Sequence, residues 1–426
     1  MPEVNLTKLN RNAAWMLLGT GTRLCVQGLY FILMARSLGP KQYGMAVAVT
    51  ATVAIISPFI GNGCGSLMIK HVAQDRTQFA ESLGTLLIVT FLSGLLLCAL
   101  VAPACLVLFW RRIPPVAILM VVISDVLVFP YAAVAGVAFW SLEKLGWTSA
   151  LNVFSSLMRL IGIAVIIILH RPTLMAWTIS YLVTSTVASA IALGCVLLLL
   201  GLPRLRRRGY IGELREGFYF AMSYSAQTIY NDIDKTMLAR LSTLEATGFY
   251  GVAYRLIDVA FQPVSALLSA SYPGFFRHGN DIRAAMQYGK RLLTRALPYS
   301  FCACAILLIG APGIPRVLGH EYAEVTRAVR WLAVLPILKT LHYFVADSLT
   351  GAGHQGLRTL VQLGVAVFNV MLNLWVIPLY GWRGAAWSSI ASDTLLWLTL
   401  WLAANLVARR AQLRSHQDAV AETAPV

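Results

Sequence analysis

The sequence predicts an all-α integral membrane protein with about twelve transmembrane helices, arranged as two six-helix lobes around a central cleft. Twelve apolar stretches fill most of the chain, and each is close to the 20 or so residues that cross a bilayer. Hydrophobic residues make up 58% of the chain and charged residues 12%, whereas soluble domains carry about 25% charged residues. The third observation is a faint repetition between the two halves. Together these features exclude a water-soluble protein.

Short polar breaks separate the predicted spans. The spans are 13–34, 43–68, 83–109, 116–140, 151–169, 174–200, 218–241, 248–272, 292–317, 331–350, 360–378 and 385–407. The first is longer than the apolar region of a signal peptide and contains Arg23, so we expect it to remain in the protein as a span.

The positive charge of the chain is concentrated in the breaks between spans. The formal net charge is +16, and with the N-terminus inside, the Lys and Arg bias favours the cytoplasmic side by roughly two to one. The strongest inside signals are Arg204, Arg206, Arg207, Arg208, Arg277, Arg283, Lys290 and Arg291. We interpret them as topological anchors near anionic membrane lipids rather than as a nucleic-acid site. Both termini are therefore predicted to be cytoplasmic.

The two halves of the chain carry matching short motifs. Ala35-Arg36 precedes Gly44 at the same spacing as Ala239-Arg240 precedes Gly248, and an Ala-Trp pair occurs in both the sixth and the twelfth span. A shift of six spans preserves orientation, so the repeats are predicted to be parallel, with a cleft between them. The predicted domains are a six-helix lobe at 1–205, a cytoplasmic join at 206–216, a six-helix lobe at 217–408 and a polar cytoplasmic tail at 409–426.

Eleven of the charged residues within the predicted spans are candidates for a functional or packing role. They are Arg23, Asp125, Arg159, Asp232, Asp234, Lys235, Arg255, Asp258, Lys339, Asp347 and Asp393. Exposing them all to lipid would cost on the order of 30 kcal/mol, so they must face protein or water. Gln227, Asn231, Asp234 and Lys235 recur at helical spacing in the seventh span. We expect this polar face to line the cleft.

Some of these charges have a structural interpretation beside the functional one. Asp258 lies three residues after Arg255, on the same helical face, which favours a simple ion pair between the two. Arg23 has no acidic residue in its own span, which leaves a role in the cleft open. Asp125 and Asp393 are equally isolated. Either is a candidate for coupling to a proton or cation, and pairing with a remote arginine is the alternative.

Other motifs indicate no further chemistry. The glycine-rich stretch 61–65 superficially suggests a nucleotide loop, but no strand precedes it, and we interpret it as a site of close packing or a local helix break. The seven cysteines lie in spans or at their edges and are interpreted as core residues. His320, His342 and His354 are too far apart in sequence to form a local motif. We predict no metal site, no catalytic residue and no cofactor.

Several short motifs resemble one known family when they are taken together and in order. They are YFILMARSLGP at 30–40 with YG at 43–44, DK at 234–235 with GFYGVAYR at 248–255, LGHEY at 318–322, and NL at 373–374 with IPLYG at 377–381 and GAA at 384–386. They resemble the polysaccharide transporters of the oligosaccharide flippase family. That family shares a superfamily with lipid II flippases and with multidrug and toxic-compound extrusion proteins.

The resemblance implies two six-helix bundles that move a polyprenyl-diphosphate-linked oligosaccharide across the bacterial inner membrane, by alternating access. Arg23 and Arg255 look like two arginines of the lipid II branch, and with Lys235 they are the expected ligands of the diphosphate. That branch has two further C-terminal spans, whereas a polar tail follows residue 407 here, so the resemblance favours the polysaccharide branch. A polysaccharide polymerase and a co-polymerase are implied partners.

Three other functions fit the sequence less well than a flippase. A drug exporter of the sister branch is expected to have an acidic or aromatic cleft, whereas Arg and Lys accompany Asp in these spans. A membrane-embedded glycan polymerase or ligase is expected to have a long outer loop with catalytic residues, and the predicted outer breaks are short. A purely structural scaffold leaves the charges within the spans without a purpose. We therefore expect a non-enzymatic flippase for exopolysaccharide or O-antigen assembly.

Overall fold

A computed structural model describes residues 6–204, 210–276 and 281–422, with some side chains inside these ranges left out. The described chain is almost entirely helical and contains no strand. The helices are α1 (Leu6–Ile56), α2 (Cys64–Gln74), α3 (Phe79–Leu108), α4 (Pro115–Val122), α5 (Pro130–Ser141), α6 (Leu145–Ile168), α7 (Leu174–Leu199), α8 (Tyr210–Leu241), α9 (Leu244–Phe276), α10 (Ile282–Gly310), α11 (Ile314–Leu318), α12 (Ala323–Leu332), α13 (Leu335–Gly351), α14 (Gln355–Tyr380) and α15 (Trp382–Glu422). The predicted all-α membrane fold is confirmed.

Length and composition identify fewer candidate spans among the described residues than the twelve predicted. Within the described residues, eight helical segments are long and apolar enough to cross a membrane, and a bent pair, His320–Leu332 with Leu335–Gly351, raises the number to nine. Helices α8 and α9, which correspond to the seventh and eighth predicted spans, are not among them. The count of twelve is therefore not confirmed.

Backbone breaks explain where α1 and the second predicted span depart from regular helix. Gly39 interrupts α1 with φ 70° and ψ 169°, and Pro40 follows it. This conformation suits glycine because it has no Cβ, so the first two predicted spans are the two parts of one long bent element. The second span was predicted to continue to residue 68, but helix α1 ends at Ile56. Gly61, Asn62 and Gly63, all with positive φ, precede α2.

The chain forms two compact units, Met1–Arg240 and Leu241–Val426. In the first unit, α6 packs against α1 and α7, and α5 packs against α2, α6 and α7. Its core includes the buried side chains of Leu83 in α3 and Phe139 in α5. The boundary between the units follows α8 rather than preceding it, and the division at 206–216 stays a sequence-based prediction.

In the second unit, α13 is the central helix. It packs against α9, α10, α14 and α15, and α14 also packs against α15. Fourteen of its seventeen residues are buried, including the polar or charged side chains of Lys339, His342 and Asp347. Burying so many polar groups is costly unless they bond to one another, so the partners of these side chains are central to what the unit does.

Large apolar side chains cover much of the outer surface of both units. Leu198 is 87% exposed and Ile309 is 80% exposed. In water such a surface would be unfavourable, but hydrocarbon is as apolar as these side chains. The surface is that of a multi-pass membrane protein.

Candidate functional site

A cavity of about 520 Å³ lies within the first unit. Its wall includes Gly61 and Gly63 at the break before α2, Gly65 in the first turn of α2, Asp125 after α4, and Thr228 of α8. The positive φ values at the break turn the chain sharply, so that the glycines approach the cavity without side chains. The predicted local break at this stretch is thus part of a cavity wall. Asp125, a site residue predicted from the sequence, therefore lines a cavity.

Asp125 lies in a π-helical turn, Ile123–Val128, between α4 and α5. The N–H of Phe129 donates to the carbonyl oxygen of Ser124 at 2.7 Å, five residues back. Pro130 has no N–H with which to continue the α-helical pattern, which accounts for the change of helix type here. Single π-helical turns often occur at functional sites. Gly94 of α3 packs against this turn, since a Cβ at that position would lie 2.9 Å from the carbonyl oxygen of Val126.

Asp125 is paired across the first unit rather than isolated. The hydroxyl of Tyr181 donates to its Oδ1 at 2.8 Å, and a terminal nitrogen of Arg159 lies 3.9 Å from the same oxygen. The guanidinium also stacks over the rings of Phe129, at 4.3 Å, and Tyr181, at 4.6 Å. The alternative of a remote arginine partner is therefore the arrangement observed. Asp125 both lines the cavity and anchors a helix contact.

The polar face predicted in α8 contains an ion pair between Lys235 and Asp232. Nζ of Lys235 pairs with Oδ1 of Asp232, three residues earlier, and donates to the carbonyl oxygen of Asn231 at 3.1 Å. Asp234 accepts the backbone N–H of Lys235 at 2.8 Å. Asp234 and Lys235 are 1% and 8% exposed. Gln227 lies outside the described side chains, and the assignment of this face to a cleft stays a prediction.

The two arginines predicted to bind diphosphate lie in different units. Arg23 is exposed on α1, and Arg255 is half-buried on α9. Asp258, which was expected to pair with Arg255, forms its ion pair with Lys339 of α13 instead, at 3.2 Å. The reason is that helix packing brings α13 against α9, which sequence spacing within one helix does not reveal. Arg255 is therefore not assigned to a simple local pair with Asp258.

Lys339 lies in an aromatic setting as well as beside a carboxylate. Its Nζ is 5.4 Å from the ring centre of Tyr254 and 5.9 Å from that of Phe261, distances at which the ring faces attract a cation. Its side chain is 7% exposed, whereas that of Asp258 is 43% exposed. The sequence did not assign Lys339 to any role. Lys339 lies one helical turn before His342, which belongs to a second polar group in the core.

That second group is a pair that the sequence did not predict. Nε2 of His342 lies 3.5 Å from Oδ1 of Asp393 of α15, and both side chains are 2% exposed. Asp393 was expected to be isolated, with a remote arginine as the alternative partner, but its neighbour is a histidine 51 residues earlier. Elsewhere in α13, Asp347 pairs with Arg358 of α14 at 2.9 Å. No sequence signal connects His342 with Asp393.

No group of three His, Cys, Asp or Glu side chains is arranged to hold a metal ion in the described part of the chain. The polar groups of the two units instead form pairs of opposite charge and hydrogen-bonded clusters. Such arrangements can bind ions, protons or a charged head group.

Comparison with known proteins assigns the family. Residues 9–278 match the sequence pattern of the family described as "Polysaccharide biosynthesis protein". The chain belongs to this family. Its members include the polysaccharide transporters that the sequence motifs resemble, within the superfamily of multidrug and polysaccharide flippases. A search of curated proteins finds no match.

Several solved structures share the fold of this chain. The lipid II flippase MurJ, in an inward closed conformation, is 13% identical with a TM-score of 0.71, covering 91% of this chain and 87% of that one. An inward-facing multidrug resistance MATE family transporter is also 13% identical, with a TM-score of 0.70 and coverages of 91% and 95%. A transporter of the same superfamily from Pyrococcus furiosus is 13% identical, with a TM-score of 0.69 and coverages of 93% and 95%.

The family connects the chain with polysaccharide biosynthesis, and its fold is one that multi-pass membrane transporters and flippases share. At this level of identity, the structures support the fold alone. The cargo is a separate question, because related folds carry different cargoes.

Proposed function

We propose that this protein is a flippase that moves a polyprenyl-diphosphate-linked oligosaccharide repeat unit across the bacterial inner membrane, for exopolysaccharide or O-antigen assembly, by alternating access. The observation that carries the proposal is the match of residues 9–278 to polysaccharide biosynthesis proteins in a chain with a transporter fold. A polysaccharide biosynthesis protein whose described residues form mainly long apolar helices is suited to moving a glycan across a membrane.

The physical task explains why a protein is needed. A diphosphate and a polar glycan cannot cross hydrocarbon unaided, because removing charge from water is very costly. A cationic, hydrated path carries the head group, while the polyprenyl tail remains in the bilayer. We propose that Arg23, Arg255 and Lys235 bind the diphosphate and that Gln227, Asn231 and Asp234 line the path. Arginine suits this role because its planar group donates paired hydrogen bonds to phosphate oxygens.

The membrane arrangement is part of the same proposal. Both termini and the join at 206–216 lie in the cytoplasm, where the lipid-linked unit is made. A polysaccharide polymerase and a co-polymerase receive the unit on the other side. The chain itself performs no covalent chemistry, so it acts as a transporter rather than as an enzyme.

The alternative is a multidrug exporter, which the fold of the MATE transporters also suits. A cationic drug requires an acidic or aromatic path, and in the second unit such groups do occur beside Lys339. Arg23, Arg255 and Lys235, which we propose as ligands of the diphosphate, favour an anionic cargo instead.

A reconstituted system distinguishes these cargoes. The purified protein is placed in vesicles that contain a polyprenyl-diphosphate-linked oligosaccharide with a fluorescent sugar, and a membrane-impermeant quencher reports which leaflet holds it. We expect the protein to accelerate exchange between the leaflets. Protein that moves an organic cation such as ethidium, and leaves the lipid-linked sugar in place, would be an exporter, and the proposal would be wrong.

A further inference from the structure

The core of the second unit contains a histidine and a carboxylate that face each other. Nε2 of His342 in α13 and Oδ1 of Asp393 in α15 are 3.5 Å apart, and each side chain is only 2% exposed. Oδ1 of Asp393 accepts no hydrogen bond from the part of the chain that the structure describes. The separation is slightly longer than a normal hydrogen bond of about 2.7 to 3.2 Å. The pair is thus close enough to share a proton after a small side-chain movement.

The nearby cations are already matched with other carboxylates. Lys339, one turn earlier on α13, and Arg358 of α14 are the two cations whose charges act on His342. Lys339 pairs with Asp258 of α9 at 3.2 Å, and Arg358 pairs with Asp347 of α13 at 2.9 Å. Among the described residues, the side chain in ion-pair range of Asp393 is therefore the His342 imidazole, which carries a charge only when it is protonated.

The other helices around this pair contribute neutral polar groups. From α10, Ser300 bonds to Thr340 of α13 at 2.6 Å. From α9, the hydroxyl of Tyr250 lies 2.7 Å from Oγ of Ser389 in α15. From α14, Nδ2 of Asn369 donates to Oγ of Ser392 at 3.0 Å. The ring of Tyr343 packs against that of His342, with centroids 4.6 Å apart. These contacts hold α13 and α15 in place, and none of them supplies a charge to Asp393.

A proton resolves the electrostatic problem of this pair. A buried carboxylate is stable when it is neutralised or bonded to a donor. One added proton either makes Asp393 a neutral acid that donates to the imidazole, or makes an imidazolium that donates to the carboxylate. In both cases one hydrogen bond joins the two residues. When the proton leaves to water, the pair loses that bond and keeps a carboxylate in the core.

We propose that His342 and Asp393 together bind one exchangeable proton and that this site couples proton movement to transport. The coupling role rests on the proposed function, whereas the binding of a proton by the pair does not. Further ionisable groups lie on α9 and α13 near the pair. Asp258 is 43% exposed, its partner Lys339 is 7% exposed, and His342 follows Lys339 by one helical turn. The proton is taken from water on one side and released to water on the other, with no further reactant.

Infrared difference spectroscopy of the full-length protein in lipid nanodiscs tests the binding step. Changing the pH converts a carboxylic acid into a carboxylate, and the C=O band of the acid disappears. We expect wild type to show a band from a buried acid that Asp393→Asn lacks. His342→Gln should keep the band but change the pH at which it disappears. Asp281→Asn is the matched control, because Asp281 is an exposed helix cap and asparagine caps equally well.

Two results would overturn the proton site. One is a spectrum of Asp393→Asn that equals wild type over the whole pH range. The other is a band that is insensitive to His342→Gln, because the two residues would then titrate independently. If Asp393→Asn is not folded by near-ultraviolet circular dichroism, the His342→Gln spectrum alone decides, since Asp393 is still present in that variant.

Proteoliposomes with an imposed pH gradient test the coupling. We expect the gradient to accelerate flipping of the lipid-linked oligosaccharide by wild type and by Asp281→Asn, and to leave the rate of Asp393→Asn unchanged. A gradient response that survives in Asp393→Asn would overturn the coupling role. Flipping that is absent from wild type would instead overturn the proposed function, while the infrared result on the proton site would stand by itself.

Discussion

Nζ of Lys339 lies 3.2 Å from Oδ1 of Asp258, yet the lysine side chain is 7% exposed and the aspartate side chain is 43% exposed. The pair therefore joins a core residue to a residue at the surface of the unit. Removing one partner has different consequences on the two sides. A carboxylate left alone on Asp258 is partly exposed, whereas an ammonium group left alone on Lys339 is buried.

We expect Asp258→Asn to destabilise the protein more than Lys339→Gln, by up to about 3 kcal/mol, because stranding a buried charge is the costly step. The double variant should lose less than the sum of the two single losses. Thermal unfolding of the purified variants in detergent measures this. The exposed pair of Glu324 and Arg327 is the control, and its double neutralisation should cost about 0.5 kcal/mol or less. A larger loss for Lys339→Gln would show that our account of the burial is wrong.

The ion pair of Lys235 with Asp232 in α8 allows a test of transport against packing. Neutralising both residues, as Asp232→Asn with Lys235→Gln, removes the pair without leaving a charge. The double variant Asp234→Asn with Lys235→Gln instead leaves Asp232 without its lysine and should reduce stability further. We expect both double variants to transport poorly at normal abundance, because we propose that Lys235 contacts the diphosphate. Full flipping by the Asp232 and Lys235 double variant would show that the pair contributes to helix packing and not to transport.

Arg23 and Arg255 provide the most direct test of the diphosphate site. Alanine at either position should nearly abolish flipping without removing the protein from the membrane, and lysine should restore only part of it, because it lacks the planar pair of donors. The measurement is lipid-linked glycan that accumulates on the cytoplasmic leaflet. Arg327→Ala, at an exposed pair on α12, is the control for charge alone. Normal flipping by one alanine variant would show that this residue does not bind the diphosphate. Normal flipping by both would show that the proposed binding of diphosphate by arginine is wrong.

The membrane orientation is tested by labelling single cysteines in a cysteine-free background. We expect Arg207→Cys in the join and Gln417→Cys in the tail to resist a membrane-impermeant reagent in intact cells, and to react after the membrane is opened. Arg171→Cys, between the fifth and sixth predicted spans, should react in intact cells. The physical basis is the bias of Lys and Arg toward the cytoplasmic side. Reaction of the first two positions in intact cells would reverse the predicted topology.

Gly94 supports the π-helical turn that carries Asp125. A Cβ at position 94 would lie 2.9 Å from the carbonyl oxygen of Val126, so Gly94→Ala must displace backbone. We expect a loss of about 1 to 3 kcal/mol in stability, as for other overpacked cores. Gly194→Ala in α7 is the matched control, because no atom lies within 4 Å of its added Cβ, and alanine there should be neutral or slightly stabilising. Equal melting temperatures for the two variants would contradict the close contact.

The sequence by itself determined the membrane class and the helical content. Long apolar stretches can satisfy their backbone hydrogen bonds in lipid only as helices or closed barrels, and helix-length segments such as 174–200 correspond to an observed helix, α7. It also determined the family, because short motifs in a fixed order need no three-dimensional information. The sequence did not determine the exact spans. Gly39 lies inside one bent element that contains two predicted spans, and helix α8 is too polar to count as a span by composition.

Local spacing is consistent with one ion pair within a single helix. Asp232 and Lys235 are three residues apart in one helix, which places them on the same face. The same rule pointed to Asp258 with Arg255, where it was wrong. Spacing shows which residues are able to meet within a helix, but a neighbouring helix competes for the same side chain.

Only the tertiary structure decided the partners that lie on different helices. Asp125 meets Tyr181 and Arg159 from two other helices, Asp258 meets Lys339, and Asp393 meets His342 across 51 residues of sequence. The physical reason is that a charge buried among helices is stabilised by whichever opposite or polar group packing brings within a few ångströms. Composition requires that such charges find partners, and the packing of α13 against α9 and α15 selects which ones.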